Sequence, residues 1–511
     1  MSTTRATAPP RGVASRRKPP ARGWGGRGGG ASFYVQAPAE ARGSSNQVCG
    51  LWPFSVGAGA PMIGVPLGPH LFGGGTVCCD PISWFQLAKF ISNPSMFILG
   101  LPGLGKSTLV VRLIIGLCYF GVIPVITGDR KGEYWDVIEG LGGPVIRLGP
   151  GIGHVNVLDP GGAIEVANRL TGSLRLRVLE GAQSRRKEVV AGLIDLARGS
   201  RLREREENVV DQALRVLDDR HDGIPILSDL LHVVREAPAE LRAMIVDRGD
   251  DNRYRELTED LEASLLGLIS GGRLGAMFNE QTAQRPARDL PVVFDISGIP
   301  DTKGESRAAA QLASWAAAAE MMDTSDALTK AGLEPRRHYL SVDDELWSGL
   351  RASSGMVDRY DSITRLNRSM GMGQIMVSHT SADLAALPEV DRAKAAGFID
   401  RSGIVAVAGL PASEFEQPFM EGKFTQRERE MVTQWQTPAG WETNSAPPGQ
   451  GNFLIKVGER PGIPLHLLLT TAEKQLHDTN SRWHDQSRRS ALPFLDPTAS
   501  TPLHDQVEDP S

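Results

Sequence analysis

Cysteine is scarce, with four in 511 residues, at positions 49, 78, 79 and 118. Cys78 and Cys79 are adjacent, and no Cys-x-x-Cys or nearby histidine spacing accompanies them. A disulfide framework and a zinc finger are therefore not expected, and a reducing cytosol fits. Long apolar runs are missing as well. The most apolar stretch, Leu109 to Thr127, is broken by Arg112 and Pro124. It reads as a helix followed by a buried strand rather than a membrane span. The N-terminal stretch is basic and rich in glycine and proline, without the apolar segment of a signal peptide. Membrane contact is thus expected only through partners. Neither sign of charge dominates: 55 basic residues stand against 60 acidic ones, a net charge of −5. That argues against an overall basic nucleic-acid coat and leaves a local basic face open. What remains, at 41% hydrophobic and 23% charged residues, is ordinary globular composition with length for two or three packed units.

One stretch organises the rest. Phe97 to Leu99 is apolar, Gly100-Leu-Pro-Gly103-Leu104-Gly105-Lys106-Ser107-Thr108 follows, and a helical pattern begins near Lys106. Strand, Gly-x-x-x-x-Gly-Lys-Ser and helix in this order form a phosphate-binding P-loop. The glycines Gly100, Gly103 and Gly105 allow a tight turn that aims backbone N–H groups at an anion. The helix start adds its positive dipole end. Lys106 is placed to neutralise β- and γ-phosphates, and the Ser107 hydroxyl to ligate Mg²⁺. Leu104 and Thr108 complete the nucleotide-binding set.

Along the chain, residues 1–45 read as a disordered basic arm, with seven Arg or Lys from Arg5 to Arg27 before the first acid, Glu40. Strands and turns precede the P-loop, with a short helix at 83–91. The P-loop helix is expected over 106–120 and the next strand over 122–127. Pro124 is awkward in that strand if it is central. Gly128-Asp129-Arg-Lys-Gly-Glu133-Tyr sits at the strand exit, where open parallel sheets bind ligands. Asp129 and Glu133 are candidates for a nucleotide rim, with an ordinary surface turn as the alternative. Residues 46–160 are assigned to the first part of an α/β core. Residues 161–288 carry charged helical periods, as an all-α subdomain inserted into that core. Residues 289–485 resume the core, and 486–511 read as a loose tail.

In the second part, His338-Tyr-Leu-Ser-Val-Asp343-Asp344-Glu345-Leu-Trp347 is a strand ending in acids, the form of a Walker B motif. One acid there serves Mg²⁺ and the next polarises the attacking water. Asp344 and Glu345 take these roles, with Asp343 as the rival metal partner. Asp295 is a weaker Walker B candidate, because no glutamate follows it. A helix with Arg359, Arg365 and Arg368 comes next. A further core strand then begins near Gln374 and ends at Ser378 and His379.

Together these motifs resemble the conjugation and type IV secretion ATPases of the FtsK/HerA superfamily, most closely the channel-energising ATPase in its actinobacterial form. The resemblance spans about residues 60 to 485. It is carried by the P-loop, Gly128-Asp-Arg-Lys-Gly-Glu-Tyr, Leu141-Gly-Gly, Asn156-Val-Leu-Asp-Pro, Asp344-Glu-Leu-Trp and Asp478-Thr-Asn-Ser-Arg-Trp. It implies a RecA-like P-loop NTPase core, ATP and Mg²⁺ as ligands, ATP hydrolysis, and assembly with itself, as a hexamer. It also implies channel proteins as partners, DNA through the transfer complex, and a cytoplasmic place at the inner face of the membrane. In that family the acid pair is usually followed by Ala-Trp, and here by Leu-Trp. A strand-end glutamine usually senses the γ-phosphate, and His379 stands at the matching place. Arg368 matches a charge-neutralising basic position after the Walker B helix. Longer relatives carry a large domain before the P-loop, where this chain has fewer than 100 residues. Two other functions stay open: a DNA-pumping translocase, and a nucleotide-gated scaffold with little turnover.

Overall fold

The computed structural model describes residues 61–476, apart from 271–273, 275, 301, 348–349, 351–356, 358–359, 362–363, 365–366, 369 and 439–446. The chain falls into two units, Met1–Val56 and Gly57–Ser511, and only the second contains described residues. The expected basic arm, the polar tail, Cys49, Arg359, Arg365 and the Asp478–Trp483 motif lie outside the described residues.

Among the described residues, nine strands form one sheet in the order β11-β10-β9-β3-β8-β7-β4-β6-β5. In chain order they are β3 (Ser95–Leu99), β4 (Val122–Asp129), β5 (Val145–Arg147), β6 (Val292–Asp295), β7 (His338–Asp343), β8 (Met372–Ser378), β9 (Ile404–Val407), β10 (Asn452–Lys456) and β11 (Ile463–His466). Strands β3 to β9 run parallel, and β10 and β11 close one edge antiparallel. A separate antiparallel pair, β1 (Pro66–Pro69) and β2 (Thr76–Cys78), precedes them.

Helices cover both faces, so β3, β4 and β8 are buried along their whole length. That is why these strands read as continuous apolar runs instead of alternating ones. Alternation still decides which face each residue feeds. In β3, Phe97 and Leu99 join a core with the helix Gly304–Lys330 and the helices between β5 and β6. Met96 and Ile98 join a second core with Val110, Leu113 and Leu117 of the helix Lys106–Tyr119.

Pro124 does lie in a central strand. Pairing of β4 with β7 starts at Val122, but pairing with β6 starts only at Val125. At Pro124 one side of the strand therefore needs no partner, and the missing N–H is tolerated.

Between β5 and β6 the described elements are helices, the longest being Gly172–Arg198, and one short 3₁₀ turn. The Ala-rich helix after β6 runs Gly304–Lys330, longer than the alanine run itself. Its Ala308, Ala309, Ala310 and Ala313 are buried. A side chain at Gly192 would come within 2.6 Å of Leu312, so glycine permits this close helix crossing. The early helix is Pro81–Gln86, started by Asp80 accepting from Ile82 N and Ser83 N. Among the described residues no helix is long and apolar enough to cross a membrane.

Candidate nucleotide site

At the end of β3 the chain turns tightly against its neighbours. Gly100 N donates to His379 O at 3.1 Å, and Ala408 N donates to Leu99 O at 2.8 Å. A Cβ on Gly100 would stand 2.6 Å from the Ala408 Cβ, so a larger residue would separate β3 from the end of β9. Gly103 and Gly105 have φ of +80° and +99°, the left-handed region that side chains disfavour. Gly105 is the N-cap of the helix Lys106–Tyr119. Behind the loop, Gly451 N donates to Leu104 O at 3.1 Å and Gln450 Nε2 to Gly103 O at 3.3 Å. The start of β10 thus buttresses the phosphate loop. Ser107 and Thr108 follow on the first helical turn, both partly buried.

Lys106 is buried. Its Nζ donates to Gly100 O at 2.7 Å and Leu101 O at 3.2 Å, and lies 3.1 Å from His379 Nδ1. Burial lowers its pKa to about 8, against the pull of Asp344 and Glu345. Both acids therefore lie near enough to act on it.

The three acids at the end of β7 have different surroundings. Asp343 is 2% exposed. Its Oδ1 accepts from Thr127 Oγ1 at 2.8 Å and Tyr360 OH at 3.2 Å, and its Oδ2 from Gln374 Nε2 at 3.2 Å. Thr127 Oγ1 in turn accepts from Trp315 Nε1 at 2.7 Å. Asp343 is thereby committed to a buried network joining β4, β7 and β8. Asp344 accepts from Tyr134 OH at 2.7 Å, and its Oδ1 accepts from Glu345 N at 2.9 Å. Burial and then the neighbouring Glu133 and Glu345 raise its pKa.

Glu345 has a φ of +54°, costly for a residue with a side chain. Its Oε1 meets Lys131 Nζ at 2.5 Å and His379 Nε2 at 3.1 Å, and its Oε2 accepts from Trp347 Nε1 at 2.6 Å. Burial works against ionisation, but the donors His379 and Lys131 hold this carboxyl well below the usual range. A lysine Nζ only donates, so reading this contact as a hydrogen bond assigns the acceptor to His379 Nδ1 and an N–H to Nε2, towards Glu345.

The expected nucleotide rim is corrected at Asp129. This side chain is 2% exposed and accepts from the backbone N–H of Lys131, Gly132, Glu133 and Tyr134. It folds the turn after β4. Glu133 is felt electrostatically by Lys106 and Asp344. Asp295 ends β6 at the far side of β4, where its Oδ1 accepts from Ser297 N at 2.8 Å.

Arg368 is not brought to this site within the chain. It precedes β8, whose seven residues separate it from His379 by roughly 20 Å of strand. It is exposed, with its guanidinium 5.6 Å from the Phe85 ring. Asp361 pairs with Arg401 at 2.6 Å.

Lys131, Tyr134 and Gln374 join these acids as partners that the sequence alone did not name. The signal for the first two was a strand-exit turn placing a cation and a phenol beside an acid pair. Gln374 carried no signal beyond its position in an apolar run.

The donor set suits a magnesium nucleotide. Mg²⁺ usually takes one or two protein oxygens and leaves the rest to phosphates and water. Ser107 and Asp344 can supply these. Among the described residues no group of three or more His, Cys, Asp and Glu forms a metal cage.

A P-loop strand separated from an acid-ended strand by one intervening strand, all within a parallel sheet, defines a RecA-like P-loop NTPase core. No protein-family model matches the chain, and no curated protein does. Among solved structures, VirB4 of Thermoanaerobacter pseudethanolicus is similar at 18% identity, over 82% of this chain and 100% of that one, with a TM-score of 0.59. The plasmid coupling protein TrwB in complex with ADP and Mg²⁺ matches at 12% identity, over 74% and 85% of the two chains, with a TM-score of 0.44. The cytoplasmic domain of the Type VII secretion ATPase EccC of Thermomonospora curvata matches at 15% identity, over 84% and 32%, with a TM-score of 0.32. The chain has the fold of VirB4, the fold class expected from its motifs.

Proposed function

We propose that this chain is an ATP-hydrolysing motor that energises conjugative transfer or type IV secretion of DNA or protein. One observation carries the reading: His379 lies within 3.1 Å of both the P-loop cation Lys106 and the acid Glu345. Phosphate-binding and water-activating groups from two non-adjacent strands thus converge. The VirB4 fold and the motif resemblance support the transport role.

The polyphosphate lies on the loop from Gly100 to Thr108, with Lys106 neutralising β- and γ-oxygens. Ser107 and Asp344 would hold Mg²⁺, which would supply further neutralisation of phosphate charge. Glu345 orients a water and takes its proton as the water oxygen bonds to the γ-phosphorus. The bond from that phosphorus to the β–γ bridging oxygen breaks, and ADP and phosphate leave. His379 donates its N–H to the γ-phosphate in place of Glu345, and Arg368 reaches the site from a second subunit of a ring, a hexamer by resemblance. Docking on channel proteins at the inner face of the membrane brings the motor to its cargo.

The test is ATP hydrolysis by the purified chain. Lys106→Ala is expected to abolish turnover and weaken nucleotide binding. Glu345→Gln is expected to bind ATP and hydrolyse it poorly, because an amide cannot polarise water as a carboxylate does. Wild-type turnover in Lys106→Ala removes the central claim. Strong stimulation by DNA favours a translocase instead, and no turnover favours a nucleotide-gated scaffold. Conjugative transfer restored by the wild type and not by Lys106→Ala tests the transport role.

A further inference from the structure

The Glu345 carboxylate is heavily engaged for a group that must hold a water. Of roughly four acceptor sites on its two oxygens, three are taken, by Lys131, His379 and Trp347. These donors differ in what a bound nucleotide does to them. A γ-phosphate on the loop competes for Lys106 and for His379, which already contact each other at 3.1 Å. Lys131 comes from the turn after β4, outside the P-loop, and its contact with Glu345 does not run through that pair. The turn is rigidly made, because the Asp129 carboxylate accepts the N–H groups of residues 131 to 134. The two partners also differ in access: the Lys131 side chain is 49% exposed and that of Glu345 9%.

We propose that Lys131 is a positioning residue that acts as a brake, holding the Glu345 carboxylate on its own ammonium and away from the attacking water. The claim rests on the assignment of Glu345 as the water-activating acid. Burial works against the charged form of Lys131, and Glu133 and Asp344, among the groups acting on it, favour that form as Glu345 does. Lys106 lies across the same group of acids. When Lys131 is removed, Glu345 keeps the left-handed backbone and the Trp347 contact, and loses only the competing cation. Because half of the Lys131 side chain faces solvent, an anionic group from outside the site could draw it off Glu345. Turnover would then respond to what the motor touches.

Steady-state hydrolysis by the full chain tests this. Lys131→Met is expected to raise kcat by about two- to fivefold, the scale of a half-exposed ion pair, with the KM for ATP and the affinity for a non-hydrolysable ATP analogue little changed. Lys131→Arg, which restores a cation, is expected to lose most of that gain. In Lys131→Met combined with Glu345→Gln the gain is expected to vanish. A lowered or unchanged kcat in Lys131→Met with normal analogue affinity overturns the brake. A gain that persists in the double variant overturns its action through Glu345. If Glu345→Gln alone hydrolyses ATP at the wild-type rate, the failure lies in the assignment of Glu345, and the brake falls with it.

Discussion

The imidazole of His379 separates Lys106 from Glu345, with Nδ1 3.1 Å from the lysine Nζ and Nε2 3.1 Å from the carboxylate Oε1. It lies just past the end of β8, the strand inserted between β3 and β7. A signal from the phosphate side can therefore reach the acid through one ring. His379→Ala is expected to lower kcat on the order of a hundredfold, as for loss of one donor to developing charge. His379→Gln, which keeps a donor, is expected to lose much less. Equal losses in the two variants would make His379 a spacer.

Asp343 predicts a stability effect where its neighbours predict catalytic ones. Asp343→Ala leaves Thr127, Tyr360 and Gln374 without their buried acceptor. The expected cost is about 2–4 kcal/mol in a denaturant titration, with analogue binding by the folded protein retained. A variant as stable as the wild type that no longer responds to Mg²⁺ would make Asp343 the metal partner.

Glu320 offers a test independent of nucleotide chemistry. It lines a cavity of about 210 Å³ between the helices Gly172–Arg198 and Gly304–Lys330, and its Oε1 is buried without a hydrogen-bond partner. Burial raises its pKa to about 7 from 4.5. The folded state then binds more protons than the unfolded state between these values. Its contribution to stability is present below about pH 4.5 and is lost as pH rises to about 7. Glu320→Gln is expected to remove that slope and to be more stable than the wild type at pH 8 by about 1–3 kcal/mol. Parallel stability–pH curves for the two proteins would show that the carboxyl is solvated.

Arg368 lies exposed, across the length of β8 from His379, so its proposed role in hydrolysis requires a second subunit. Arg368→Ala and Lys106→Ala subunits, each expected to be inactive alone, should partly regain turnover when mixed. Some interfaces then join an intact P-loop to an intact arginine. No recovery on mixing, or full activity in a monomeric fraction, removes the trans assignment.

The α/β class was legible in the sequence because its causes are local. Gly100, Gly103 and Gly105 specify a turn by backbone conformation, and apolar runs of strand length mark strands covered on both faces. Lys106 and Ser107 were nameable from spacing alone, and Asp344 and Glu345 from their place after an apolar strand. Which side chains meet was not legible, because strand order decides it. Thr127, Asp343 and Gln374 are distant in sequence and form one network only because β4, β7 and β8 are neighbours. For the same reason Lys131 meets Glu345, while Asp129, two residues before Lys131, turns inward to hold the backbone. Sequence order supplied the groups proposed to bind phosphate and polarise water. The tertiary structure decided which acid is locked in the core, which is held by Lys131 and His379, and that Arg368 lies at the other end of β8, since contacts between distant strands follow from packing and not from spacing.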